Sequence, residues 1–175
     1  WKPSEKAPMS GVACHLLLKE VLEKNNVPEG VVNLVNGDYK IGEMLTKDGR
    51  VPLISATGST RMGKVVGAAV ANRLGKSLLE LGGNNAIIIT PNADLDITLT
   101  GAVFGAVGTA GQRCTSTRRL IIHESLFETV KSKLKNAYGH LVIGNPLDAG
   151  VHVGPLIDKD AVDLYSYSLE KVIEE

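Results

Sequence analysis

Between Val51 and Leu81 the chain runs strand, small-residue turn, helix, strand, and that order leaves few architectures open. Val51 to Ser55 is a short apolar run, and Thr57-Gly58-Ser59-Thr60 breaks it. Arg61 to Leu74 has helical character, and its small and β-branched residues (Val65, Val66, Ala68, Ala69) imply close packing against a neighbour. Ser77 to Leu81 then reads as a second strand. Two strands joined through a helix lie parallel, because the helix carries the chain back to its starting edge. The expectation is an α/β protein with parallel twisted sheets and helices on both faces.

The flanking sequence repeats the pattern. Met9 to Glu23 places Val12, Leu16, Val21 and Leu22 at roughly helical spacing, and Asn25-Asn26 ends the run. Val31 to Val35 predicts a short β-branched strand closed by Asn36-Gly37, followed by a helix over Ile41 to Thr46. Beyond Gly82-Gly83, Ala86 to Ile89 predicts a buried strand, and Asn92 to Asp96 offers N-caps for a helix ending near Val107. Leu120 to Ile122 is a further strand, Glu124 to Tyr138 a helix, Gly144 to Asp148 a turn, and a last helix occupies Asp160 to Glu175. Gly82-Gly83 is the expected boundary, dividing residues 1–82 from residues 83–175.

Composition narrows the function classes. The 175 residues are 43% hydrophobic and 22% charged, a globular balance for one or two domains. Nineteen basic against nineteen acidic side chains give no bulk attraction to nucleic acid or anionic lipid. No apolar run approaches the roughly 20 residues that span a bilayer. Cys14 and Cys114 stand far apart and form no disulfide framework, so a reducing compartment is expected, the cytoplasm or a mitochondrial matrix. Trp1-Lys2-Pro3 is no natural opening and the last helix lacks a stop signal, so the chain reads as an excerpt of a longer protein.

Three places carry chemistry. Gly58-Ser59-Thr60-Arg61-Met62-Gly63-Lys64 lies between strand and helix but has Val65 where a triphosphate loop needs Ser or Thr, so no NTPase is indicated. A helix N-terminus with a small Gly58 and the Ser59 hydroxyl can still attract phosphate, although Ser59 or Thr60 can equally serve as a plain cap. Cys114 follows Gly111-Gln112-Arg113; the glycine allows close approach, and the neighbouring cation favours a thiolate over a thiol of ordinary pKa about 8.5. Cys14, inside an amphipathic pattern, is expected to be structural. Glu80 interrupts an apolar strand just before Gly82-Gly83. Burial there would raise its pKa and make it a base near neutrality, while alternation also permits a solvent-facing edge residue. His123, His140 and His152 lack metal-ligand spacing, so no metal is proposed; Lys131, Lys133 and Lys135 are expected to face water, and Asp94 and Asp96 to cap.

Four ordered motifs resemble the aldehyde dehydrogenase superfamily along the whole chain. Leu79-Glu80-Leu81-Gly82-Gly83 resembles its glutamate signature and Gly111-Gln112-Arg113-Cys114 its cysteine signature. Ala56-Thr57-Gly58-Ser59-Thr60 with Gly63 resembles its dinucleotide loop, and Lys2-Pro3-Ser4-Glu5 its adenosine-ribose motif. Gly82 to Ile88 and Val107 to Thr115 are similar to the antiquitin branch, whose members oxidise α-aminoadipic semialdehyde in lysine breakdown.

The resemblance implies the C-terminal part of a Rossmann-like NAD-binding domain over 1–82 and the N-terminal part of the α/β catalytic domain over 83–175. It implies Cys114 as nucleophile, forming a thiohemiacetal and then a thioester, and Glu80 as the base that activates water. Lys2, Ser4, Glu5, Gly37, Gly58, Ser59, Gly63 and Leu81 would bind the cofactor, with NAD favoured over NADP because a carboxylate repels a 2′-phosphate. Arg113 and Thr115 would bind the substrate, Arg113 through the distal carboxylate. An oxyanion-hole Asn, a second ribose glutamate and an oligomerisation strand are expected outside the chain, in a parent that is a dimer or tetramer. The excerpt alone is accordingly expected to show little dehydrogenase activity. The competing readings are a non-catalytic, self-associating module and cofactor-independent thioester or esterase chemistry.

Overall fold

A computed structural model describes residues 1–174, which form two compact units, residues 1–81 and residues 82–174. Among the described residues no helix is long and apolar enough to cross a membrane.

In the first unit, helix α1 (Pro8–Lys24) opens with Pro8, whose missing N–H costs nothing in a first helical turn. Gly11 on this helix is buried because the Pro3 ring lies on it; a Cβ there would stand 2.6 Å from Pro3 Cγ. That contact seats the Lys2–Glu5 segment on α1. The strand expected over Val31 to Val35 does not form: residues 31–32 lie in a bend and residues 33–38 join no ladder. The Trp1 amino group donates to Asn33 O at 2.7 Å and Val35 N–H donates to Trp1 O at 2.9 Å, but one facing residue cannot build a strand pair. Helix α2 (Tyr39–Lys47) is capped by Asp38, whose carboxylate accepts from Lys40 N–H at 2.9 Å.

Strand β1 (Leu53–Thr57) pairs in parallel with β2 (Lys76–Glu80), in a register running from Leu53 opposite Lys76 to Thr57 opposite Glu80. The first strand begins two residues later than Val51 because Pro52 has no N–H for the ladder; only its carbonyl is used, accepting from Lys76 N–H at 3.0 Å. Helix α3 (Thr60–Asn72) makes the crossover and packs through Gly63 and Val70, with Val66 and Ala69 half-buried, while Val65 and Ala68, expected at the packed face, are exposed. A Cβ on Gly67 would touch Leu79 at 3.4 Å, and Val70 is 1% exposed.

In the second unit, β3 (Asn85–Ile89) pairs in parallel with β4 (Thr117–Ile122), with a register irregularity between Asn85 and Ala86. Helix α4 (Leu95–Val107) is capped by Asp94, which accepts from the N–H groups of Asp96 and Ile97. Asp96 is no cap: it sits in the first turn, its carboxylate 3.8 Å from Lys133. The helix expected from Glu124 begins as a 3-10 turn over Glu124–Leu126, with His123 Nδ1 accepting from Ser125 N–H, and continues as α5 (Phe127–Gly139). Lys131, Lys133 and Lys135 are exposed on it. Helix α6 spans Lys159–Glu174; the last residue of its expected range, Glu175, lies outside the described residues. Ile89 on β3, Ala102 on α4 and Val130 on α5 are the buried apolar residues of this unit among those described, Val130 fully so.

Candidate active site

The cysteine turn is built from the end of α4. Gly105 brings this helix onto β4, since a Cβ there would stand 2.5 Å from Thr117 Oγ1. After Val107 the backbone reverses through Thr109, Ala110 and Gly111, all left-handed with φ of 54°, 52° and 71°. Only glycine adopts that conformation freely; for Thr109 and Ala110 it costs roughly 1–2 kcal/mol each. The strain sits just ahead of the cysteine, where strained backbone commonly serves a site.

A four-residue turn follows. Ser116 N–H donates to Arg113 O at 3.2 Å, and Arg113 N–H donates to Ser116 Oγ at 3.1 Å. Ser116 is only 2% exposed, whereas Cys114 and Thr115 stand exposed at the apex. Asn85 Nδ2 donates to Cys114 O at 2.6 Å and to Ser116 O at 3.2 Å. Gln112 Nε2 donates to Thr109 O at 3.1 Å, and its Oε1 accepts from Ile157 N–H at 3.0 Å. An accessible thiol thus projects from a main chain that is tied down around it.

The Arg113 guanidinium is engaged by its own loop. Its Nε donates to Thr109 Oγ1 at 2.8 Å, and its carbon lies 5.4 Å from the centre of the Phe104 ring, a cation–π arrangement. Gly108 leaves space for this, since a Cβ there would be 3.0 Å from Arg113 Nη1. The sequence points to Arg113 as a cation beside the thiol; its observed partners are Thr109 and Phe104.

Glu80 ends β2 and is exposed, not buried as a desolvated base requires. Alternation on a strand paired on one side leaves that position open within its unit. Its carbonyl accepts from Gly58 N–H at 2.9 Å, which ties the strand end to the Gly58-Ser59 loop. Cys14 is likewise exposed rather than structural; among the described residues of α1, Gly11 is the buried one.

The loop after β1 does what a cap does. Ser59 Oγ accepts from Met62 N–H at 3.1 Å, and Gly58 lies close over Met62. The helix therefore starts at Thr60, at the C-terminal end of a parallel strand, with the first-turn N–H groups of Thr60 and Arg61 directed out of the helix end. Gly63 and Leu81, both expected at the cofactor, pack on each other: a Cβ on Gly63 would stand 2.5 Å from both Leu81 methyl carbons. Lys2 Nζ donates to Pro3 O at 2.8 Å and to Glu5 Oε2 at 3.3 Å, with its stem over Gly42. Glu5 is held below the usual carboxylate range, first by its backbone hydrogen bond and next by Lys2. Ser4 Oγ accepts from Lys6 N–H, and a side chain at Gly37 would collide with Ile41.

Sequence reasoning missed Asn85, Gln112 and Ser116 as supports of the cysteine turn. A carboxamide directly before an apolar strand was the available signal for Asn85, because such a position faces the next strand's incoming loop. His140 and His152 are spent locally, on Asn136 O and Val142 N–H, and among the described residues no group of three or more His, Cys, Asp or Glu could hold a metal.

Comparison with known proteins fits this geometry. The profile of the aldehyde dehydrogenase family matches residues 1–175. A putative aldehyde dehydrogenase family 7 member A1 homolog of Caenorhabditis elegans is 47% identical over 175 residues, covering 99% of this chain and 33% of the relative. The alpha-aminoadipic semialdehyde dehydrogenase of Bos taurus is 46% identical over 175 residues, covering all of this chain and 32% of the relative. This chain therefore spans about a third of the length of these relatives. Among solved structures, glyceraldehyde-3-phosphate dehydrogenase from Methanocaldococcus jannaschii complexed with NADP superposes with a TM-score of 0.92 at 33% identity, over 99% of this chain and 38% of that one. Betaine aldehyde dehydrogenase from Staphylococcus aureus in complex with NAD+ superposes with a TM-score of 0.88 at 28% identity, over 97% of this chain and 33% of that one. The chain belongs to the aldehyde dehydrogenase family.

Proposed function

We propose that the protein carrying this chain oxidises an aldehyde to a carboxylic acid with a nicotinamide cofactor, using Cys114 as nucleophile and Glu80 as general base. The cysteine turn carries the reading: an exposed thiol at the apex of a hydrogen-bonded turn, behind a strained left-handed reversal.

The Cys114 thiolate would add to the aldehyde carbon, and its own backbone N–H would help hold the resulting oxyanion. A bound nicotinamide supplies the acceptor for the hydride that leaves that carbon. Cys114 is then left as a thioester. Glu80 would take a proton from water as it adds to the thioester carbonyl, releasing the acid and restoring the thiolate. Aldehyde, oxidised cofactor and water become carboxylate, reduced cofactor and two protons.

The first-turn N–H groups of α3, with Gly58 and Ser59, suit a pyrophosphate. Lys2 and Glu5 suit ribose hydroxyls; the Glu5 carboxylate stays ionised and would repel a 2′-phosphate, which favours NAD. The names of the relatives support α-aminoadipic semialdehyde or a related semialdehyde as substrate. Arg113 would meet its distal carboxylate with guanidinium nitrogens not spent on Thr109, and Thr115 would line the same pocket. A nucleophilic thiol works only while reduced, so a reducing compartment is part of the proposal.

Reduced cofactor formed from α-aminoadipic semialdehyde by the full-length gene product, with NAD and NADP compared, tests this. NADH formation that disappears in Cys114→Ser is the expected result. Ester hydrolysis indifferent to NAD, without NADH from any aldehyde, would overturn it.

A further inference from the structure

We propose that Asn85 is a positioning residue for Cys114, its carboxamide fixing the cysteine turn to the first residue of β3 through two main-chain carbonyls. The proposal rests on the assignment of Cys114 as nucleophile.

The direction of a side chain is set by the two peptide planes that flank its Cα. For Cys114, the plane before it contains Arg113 O and the Cys114 N–H, and Arg113 O is held by Ser116 N–H at 3.2 Å. The plane after it contains Cys114 O, and the 2.6 Å bond from Asn85 Nδ2 holds that oxygen. The same nitrogen donates to Ser116 O at 3.2 Å, so the turn is gripped on both sides of its exposed apex. Of the two planes that flank Cys114, removing Asn85 frees only the second, and it releases Ser116 O as well, whereas the two Arg113–Ser116 bonds of the turn do not involve Asn85.

Two features, one of β3 and one just before it, serve this contact. The register irregularity sets Asn85 opposite Thr117 but Ala86 opposite Arg119, so one residue of β4 goes unmatched where Asn85 faces the turn. Such irregularities re-aim a side chain. Gly83 leaves room for the carbonyl, since a Cβ there would stand 3.0 Å from Cys114 O. The chemistry demands a donor. An aspartate of the same shape would set a carboxylate against two carbonyl oxygens.

The test uses the full-length gene product with saturating NAD and α-aminoadipic semialdehyde, reading NADH formation in a single turnover. Asn85→Ala and Asn85→Asp should each slow that step by about 10- to 100-fold, the scale of a misplaced reacting group. NAD affinity and the substrate concentration at half saturation should stay within about threefold, so the loss falls on the rate rather than on binding. Asn85→Asp as fast as the unmodified protein would overturn the proposal, because shape rather than donation would then suffice. Asn85→Ala with an unchanged single-turnover rate would overturn it too, as would a rate that falls only in step with the loss of folded protein. Cys114→Ser in the same assay separates the two ideas. Persistent NADH formation there defeats the nucleophile assignment and the role of Asn85 together, whereas loss in Cys114→Ser beside an unaffected Asn85→Ala defeats only the role of Asn85.

Discussion

The Gln112 carboxamide joins the cysteine loop to Ile157, 45 residues further on: Ile157 N–H donates to Gln112 Oε1 at 3.0 Å while Gln112 Nε2 donates to Thr109 O at 3.1 Å. The side chain thus braces the strained reversal against the segment that leads into α6. Gln112→Ala should lower stability by about 1 kcal/mol, the ordinary net worth of such bonds, and speed proteolysis around residues 108–117. Urea denaturation and limited proteolysis check both. No change in either would mean that the brace contributes nothing measurable.

Gly63 and Leu81 make a second pair, with no space for a side chain on the helix. Gly63→Val should destabilise the protein by roughly 1–3 kcal/mol through overpacking. Leu81→Ala vacates that space, so the cost of Gly63→Val should shrink in its presence. A double-mutant cycle reads the coupling, and additive effects would show that the two side chains do not compete for one volume.

The two aspartates that open α4 differ in role. Asp94 accepts from two first-turn N–H groups, whereas the exposed Asp96 carboxylate lies 3.8 Å from Lys133 Nζ. Asp94→Ala should cost about 1 kcal/mol as a lost cap, and Asp96→Ala should lie within about 0.5 kcal/mol of no effect. Thermal unfolding of the two variants side by side reverses the assignment if Asp96 proves the costlier.

Asp48 provides the pH prediction. Side-chain hydrogen bonds from Arg50, then the Arg50 backbone N–H, draw its carboxyl from 3.8 down to about 2. A depressed folded value stabilises the folded state fully above the unfolded value. That stabilisation fades as pH falls from near 3.8 through about 2. The pair is exposed, so salt should weaken it. A carboxyl NMR titration should give Asp48 a value near 2, rising toward 3.8 in Arg50→Gln. An unchanged titration in that variant would remove Arg50 as the cause.

Much of this was legible from residue order. The strand–helix–strand unit around Gly58, the parallel pairing and the Asp94 cap follow from local chemistry, and the structure holds each of them. Val31 to Val35 misled because β-branched content marks only a capacity to pair, and the backbone bonds this segment receives come from Trp1, through Asn33 O and Val35 N–H. Glu80 and Cys14 misled for another reason. Burial depends on what covers a side chain, and both of these are exposed. Cys114 could be singled out because glycine and arginine stand beside it in the sequence, but the Arg113 guanidinium turns to Thr109 and Phe104. The support of the cysteine turn was not legible, since Asn85 and Ile157 reach it across 29 and 45 residues.

The central claim is tested most directly by trapping the acyl-enzyme. In the full-length gene product with Glu80→Gln, hydrolysis of the thioester should slow while its formation continues. Acid quenching after reaction with NAD and α-aminoadipic semialdehyde, followed by peptide mass spectrometry, should find the acyl group on Cys114, absent from Cys14 and absent when NAD is withheld. NADH formed with Cys114 unmodified, or the acyl group found on Cys14, would contradict the account.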